Sequence, residues 1–218
     1  MKKLLSCVVL LAPVVFDIPA QGALIVFGSQ GTAADANEWN STGGATLAIA
    51  PHPGWVPALA GSSWVSFGQT GDPASSGYFM PANGLVVSFY ESLTLPWTPI
   101  LAMITYRADD STAFHINNIL VRPEAAMEGN TYERCSDFPV GCTSETEVTL
   151  DITSYLTAGV NTLRFDVAQR RSVSFGLNYL GLALVEPPGD DPVPEPATYL
   201  MLGAGLVALG IWKRKAKG

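Results

Sequence analysis

Between residues 85 and 186 the polar and apolar positions alternate in short runs, and turn-forming residues break them every 8–12 positions. That is the rhythm of strands rather than of amphipathic helices. The plainest run is Leu163-Arg164-Phe165-Asp166-Val167, which predicts a half-buried strand with Leu163, Phe165 and Val167 inward and Arg164 and Asp166 outward. Leu85 to Glu91, Ile100 to Ala108 and Leu180 to Val185 are more continuously apolar and predict strands central to their sheets. Thr112 to Ile116 and Ile119 to Val121 flank Asn117-Asn118, a pair that tolerates positive φ and suits a two-residue hairpin turn. Glu145 to Leu150 predicts a further strand. Asp151 is placed to cap one helical turn, and Gly159 to lead the chain into the strand that follows. The fold class expected is all-β, a sandwich or barrel.

Two apolar runs at the chain's ends obey a different logic. Met1-Lys2-Lys3, the run Leu4 to Phe16 and the small residues Ala20 to Ala23 have the three-part form of a signal peptide over residues 1–23. Cleavage is expected after Gly22 or Ala23, with Ala20 the alternative. Cys7 then belongs to the apolar core of the signal and leaves with it. At the other end, residues 198–212 are uncharged and lack a polar stripe, so they predict a transmembrane helix rather than a buried one. The run is about 15 residues and roughly 22 Å long as a helix, and Trp212 and the lysine stems extend it by reaching to the headgroups. Lys213, Arg214, Lys215 and Lys217 hold that end on the cytoplasmic side and leave the rest of the chain outside. Directly before the run stands Pro194-Glu195-Pro196, held extended by its prolines.

Tripeptide, apolar helix and basic tail in that order, over residues 193–218, resemble the PEP-CTERM sorting signal of Gram-negative bacteria. The resemblance implies processing by an exosortase, a membrane-embedded thiol protease, with Pro194, Glu195 and Pro196 as the recognised residues. It further implies passage through the inner membrane and release to the cell surface or an exopolysaccharide (biofilm) matrix. Residues 24–186 are left as the ectodomain, and 187–192 as a Pro/Gly/Asp linker.

Export changes how the remaining residues read. Without Cys7 the chain keeps Cys135 and Cys142, an even pair in an oxidising compartment, expected to close a loop as a disulfide. Residues 24–196 carry six arginines against eighteen acids, a formal charge of −12. Such a surface repels nucleic acid and suits a soluble protein in a hydrated matrix.

The stretch Asp151-Ile152-Thr153-Ser154-Tyr155-Leu156, continued by Gly159, Asn161, Thr162 and Leu163, resembles a link found in galactose-binding-like jelly rolls. Ile104 to Asp110 followed by Phe114 to Asn118 resembles a hairpin of the same fold, with Asn118 where glycine is usual. The resemblance implies a jelly-roll β-sandwich and, by analogy with sugar-binding domains, an extracellular polysaccharide as partner; fold alone does not establish that.

Catalytic motifs are lacking: there is no G-x-S-x-G, no H-E-x-x-H and no phosphate-cradling glycine loop. The expectation is therefore a protein that is not an enzyme. Trp55, Trp64, Tyr78, Trp97 and Tyr106 are candidate rings for stacking on a pyranose, against the alternative that they pack the core. Asp109 and Asp110 could offer hard oxygen ligands to calcium, against the alternative of a solvated turn. His115 reads as a strand-face residue. A structural matrix component without a ligand pocket is the alternative function, and a glycan-active enzyme a distant third.

Overall fold

A computed structural model of the chain describes residues 22–124, 146–170 and 173–187. The signal peptide, the Cys135–Cys142 pair, the sorting signal and the apolar run 198–212 lie outside these, apart from Gly22 and Ala23. Among the described residues no helix is long and apolar enough to cross a membrane.

Among the described residues eleven strands form two antiparallel sheets. They are β1 (Ala23–Gly28), β2 (Glu38–Asn40), β3 (Leu47–Ala48), β4 (Val65–Ser66), β5 (Val86–Leu95), β6 (Pro99–Asp109), β7 (Ser111–Ile116), β8 (Ile119–Arg122), β9 (Val148–Asp151), β10 (Gly159–Ala168) and β11 (Gly176–Val185). One sheet runs β3-β4-β11-β6-β9, with β1 also paired to β11; the other runs β2-β5-β10-β7-β8. The chain crosses from one sheet to the other between β5, β6 and β7 and again between β9, β10 and β11, which makes the sandwich a jelly roll.

Side chains of period two fill the space between the sheets. Val87, Phe89, Leu93 and Leu95 of β5, Leu163, Phe165 and Val167 of β10, and Ala102, Ile104, Tyr106 and Ala108 of β6 are all buried. Phe165 ties the layers together. Its ring lies 4.6 Å from Phe114 within its own sheet and 4.7 Å from Tyr179 across the core, both stacked.

The expected strands are present, several of them longer than the pattern indicated. Leu85–Glu91 is the first part of β5, which continues to Leu95, and the strand expected from Glu145 begins at Val148. Asn117 and Asn118 take φ of 52° and 65°, the two left-handed positions of a tight hairpin turn. The Asn117 side chain also locks that turn to β10: its Nδ2 donates to Asn161 Oδ1 at 2.9 Å and its Oδ1 accepts the Thr162 amide at 2.9 Å. The link before β10 contains a 3-10 turn, Thr153–Tyr155, and Asp151 Oδ1 accepts the Thr153 amide at 2.9 Å. Gly159, at φ +91°, opens β10. Ile152 and Leu156 drop into the core on either side of the turn, so it works as a plug as well as a connection.

β1 to β4 were not expected from the sequence. β2, β3 and β4 are two or three residues long, too short to show a period, and β1 is uniformly apolar just after the signal segment. β6 and β11 are indeed central, but their continuous apolarity has a second cause. Their outer faces carry Met103, Leu180 and Leu182 beside Val26 of β1, around a shallow apolar cavity of about 260 Å³.

Candidate functional site

The fold assigns most of the aromatic candidates to structural roles. Trp64, Tyr106 and Trp55 are 1 %, 3 % and 7 % exposed, so their ring faces are closed to a ligand. The Trp55 and Trp64 rings lie 4.3 Å apart, and Tyr106 packs on Phe114 and Phe165. The indole N–H groups are internally satisfied, Trp55 donating to Asp109 Oδ2 at 2.7 Å and Trp64 to the Val56 carbonyl at 3.1 Å. The expectation of stacking platforms at these three positions is therefore corrected: their apolar area was needed for the core. Trp97 is half-buried against the core, and half-buried Tyr78 donates its hydroxyl to the Val173 carbonyl.

Asp109 and Asp110 do not form a solvated turn. Both are buried where β6 passes to β7, Asp109 accepting from Trp55 and Asp110 from the Arg170 amide. Among the described residues no group of three or more His, Cys, Asp or Glu side chains gathers closely enough to hold a metal ion.

The structure instead collects exposed chemistry on the outer face of the five-stranded sheet. Register aligns Trp39 of β2 with Tyr90 of β5, Tyr90 with Arg164 of β10, and Arg164 with His115 of β7, one row across four strands. Period two does this: each residue's neighbours in sequence point into the core, so these four point out. Trp39 and Tyr90 stack with centroids 5.2 Å apart and planes 4° apart, and Trp39 remains 41 % exposed on the edge strand. In the next row Ser88, Asp166 and Ala113 are aligned.

Polar contacts knit the two rows together. Ser88 Oγ donates to Asp166 Oδ1 at 2.6 Å, Arg164 Nε lies 3.3 Å from the same oxygen, and His115 Nδ1 lies 3.5 Å from Asp166 Oδ2. Burial, and then the Arg164 charge, lower the His115 pKa against the opposing pull of Asp166, so the imidazole is neutral at pH 7. Serine, aspartate and histidine thus meet, but in the wrong order for nucleophilic catalysis. Ser88 and His115 both address the carboxylate, and no base takes the serine proton. The arrangement can offer a ring face, a guanidinium and hydroxyls to a polyhydroxylated ligand; it does not build a nucleophile.

Beneath this row lies a pair of buried acids. Glu38 and Glu91 are direct cross-strand partners, 2 % and 3 % exposed, facing the core. Glu38 accepts the Gln30 and Gly31 amides, the second at 3.1 Å. Desolvation raises Glu38 to about 7 and Glu91 to about 8, and each lies above an ordinary carboxylate also because of nearby acids, Asp35 for the first and Glu38 and Asp35 for the second. The Tyr179 hydroxyl hydrogen-bonds Glu91 and opposes the rise. Burial thus favours the protonated form of both acids relative to exposed carboxylates. Closed inside the sandwich, it is not open to a glycoside as a catalytic pair would be.

Trp39 and Tyr90 were not among the residues singled out from sequence. The available signal was the alternation Glu38-Trp39-Asn40, three residues in which only the tryptophan is exposed.

Comparison with known proteins adds the following. Residues 192–215 match the PEP-CTERM protein-sorting motif, so the chain carries that signal. No curated protein matches the chain in sequence. Among solved structures, a family 35 carbohydrate-binding module from Clostridium thermocellum is similar at 13 % identity and a TM-score of 0.38, over 73 % of this chain and 97 % of that one. A CBM35 from Paenibacillus barcinonensis is similar at 12 % identity and 0.37, over 75 % and 99 %.

Proposed function

We propose that this is an exported protein, processed by an exosortase and delivered to the cell surface or exopolysaccharide matrix, where its sandwich holds glycan without cleaving it. The sorting motif supports export through a membrane-anchored intermediate. The parallel, stacked Trp39–Tyr90 pair carries the binding half of the reading, because a half-exposed indole at a sheet edge, backed by a second ring, covers the apolar face of a pyranose at little cost in rigidity. Arg164 and Thr162 on the same face supply donors for sugar hydroxyls, and Ser88 Oγ, whose hydrogen goes to Asp166, can accept from one. Glycan affinity should be weak, about millimolar to micromolar, since one or two rings and few polar groups contribute.

The test is retention of the purified exported protein on polysaccharide from the producer's own matrix. Trp39→Ala should abolish retention and leave the melting temperature nearly unchanged, whereas Trp64→Ala should cost about 3–5 kcal/mol of stability. Undiminished retention by Trp39→Ala overturns the site. A second reading is a structural matrix component without a ligand; the burial of Trp55, Trp64 and Tyr106 and the −12 charge favour it. It replaces the first if no glycan is retained by the wild type, and accumulation of reducing ends would instead reveal an enzyme.

A further inference from the structure

Exposed aliphatic side chains gather at the end of the sandwich from which the tail leaves. Register defines that end. β6 passes to β7 through Asp109–Ser111, where Asp109 pairs with Gly176 and Ser111 with Ala168, so the start of β11 and the close of β10 share one end. The beginnings of β1, β6, β8 and β10 and the close of β11 therefore lie at the other. There Leu24, Ile100, Leu101, Ile119, Leu120 and Val160 are 43–67 % exposed. They come from four strands and both sheets, so they reflect the end as a surface and not the pattern of one strand. Asp151 and Glu186 are the acids that register and sequence place closest to it.

The chain's path gives this surface a neighbour. β11 ends at Val185, paired with Ala23, and the apolar run begins at residue 198. Residues 187–197, five of them prolines, span at most about 40 Å even when fully extended. While the apolar run sits in a membrane, the aliphatic end is thus tethered within reach of the lipid surface, and the opposite end is a sandwich length further away.

We propose that this end of the sandwich docks on the lipid surface in the anchored precursor, with the six aliphatic side chains entering the headgroup layer. The inference rests on the reading of the tail as a membrane anchor. Uncharged, zwitterionic lipid is the fitting partner, because a domain of charge −9 over residues 24–186 is repelled by anionic headgroups and no basic residue stands among the six. Docking would hold Pro194-Glu195-Pro196 flat against the membrane, where a membrane-embedded protease can take it.

The experiment uses the full chain in phosphatidylcholine nanodiscs, with photoreactive benzoylphenylalanine replacing Leu120, Val160 or, as a control, Met80. Met80 is 61 % exposed but belongs to the loop before β5, at the opposite end. Mass spectrometry after illumination should find lipid adducts several-fold more abundant at 120 and 160 than at 80. Equal yields at all three positions, or adducts formed only between two copies of the chain, overturn the docking. A chain that does not co-elute with the nanodiscs overturns the anchor reading and the docking with it, an outcome distinct from co-elution without adducts.

Discussion

The buried pair Glu38–Glu91 should make the sandwich less stable as pH rises, contrary to the usual gain from ionised acids. In the unfolded chain both groups lose their protons near 4.5; in the folded protein Glu38 holds its proton to about 7 and Glu91 to about 8. Between those limits the folded state binds more protons than the unfolded one, so stability falls with pH. The contribution is complete below pH 4.5, is lost through the window from 4.5 to about 8, and is gone above it. Converted at 1.36 kcal/mol per pH interval of one, the two displacements correspond to roughly 3 and 5 kcal/mol taken singly. They do not simply add, because the Glu38 charge is part of the reason Glu91 is displaced. About 3–5 kcal/mol for the pair is the defensible magnitude, or roughly 6–20 °C in melting temperature for a domain of this size.

Thermal melts at pH 5, 6, 7, 8 and 9 test this, on the wild type and on Glu91→Gln. The amide keeps an acceptor for the Tyr179 hydroxyl and removes one ionisable partner. The wild type should melt progressively lower from pH 5 to 9, and Glu91→Gln should lose the Glu91 share of that slope while keeping the part that Glu38 carries up to about pH 7. His115 acts in the opposite direction near its own titration, since its lowered pKa favours folding as pH rises; Glu91→Gln leaves it intact, so the difference between the two proteins isolates the Glu91 share. Parallel curves for the two proteins, or a wild type that gains stability across the window, would refute the reasoning.

Phe165→Ala removes the ring that bridges Phe114 and Tyr179 and should cost about 3–5 kcal/mol in chemical denaturation, with Phe165→Leu recovering much of it. Mass spectrometry of the exported protein without reductant should find Cys135 joined to Cys142, a bridge worth about 2–3 kcal/mol by loop entropy; two free thiols would remove it from the account. Glu195→Ala, or loss of residues 213–217, should leave the precursor in the membrane fraction or misrouted, and normal release of both variants would contradict the sorting role of those residues.

How much of this was open to a reader of the sequence depends on where period and length gave a signal. β5, β6, β7, β10 and β11 are long enough for their inward residues to repeat, and Leu163, Phe165 and Val167 face the core as the alternation required. The Asn117-Asn118 turn was legible because positive φ at two consecutive positions selects few residue types. β2, β3 and β4 were not, since two or three residues carry no period, and their pairing depends on β5 and β11, far away in the chain.

The candidate site was misplaced for a related reason. Tryptophan is informative about burial and about binding in equal measure, and only tertiary structure separates the two. Trp64 follows two serines and Trp55 follows Pro53-Gly54, local settings that look exposed, yet both rings are drawn into one cluster with Ile49. Trp39 sits between a glutamate and an asparagine that are themselves buried, so its surroundings read as a polar turn when the polar residues are the inward ones. Once Glu38 points into the core opposite Glu91, period two forces Trp39 onto Tyr90. The costly burial of two carboxylates and the exposure of the indole are then one structural decision, taken at the pairing of β2 with β5. Glu91→Gln and Trp39→Ala probe it from opposite faces of the same sheet: the first should change how stability responds to pH and leave glycan retention alone, the second should do the reverse.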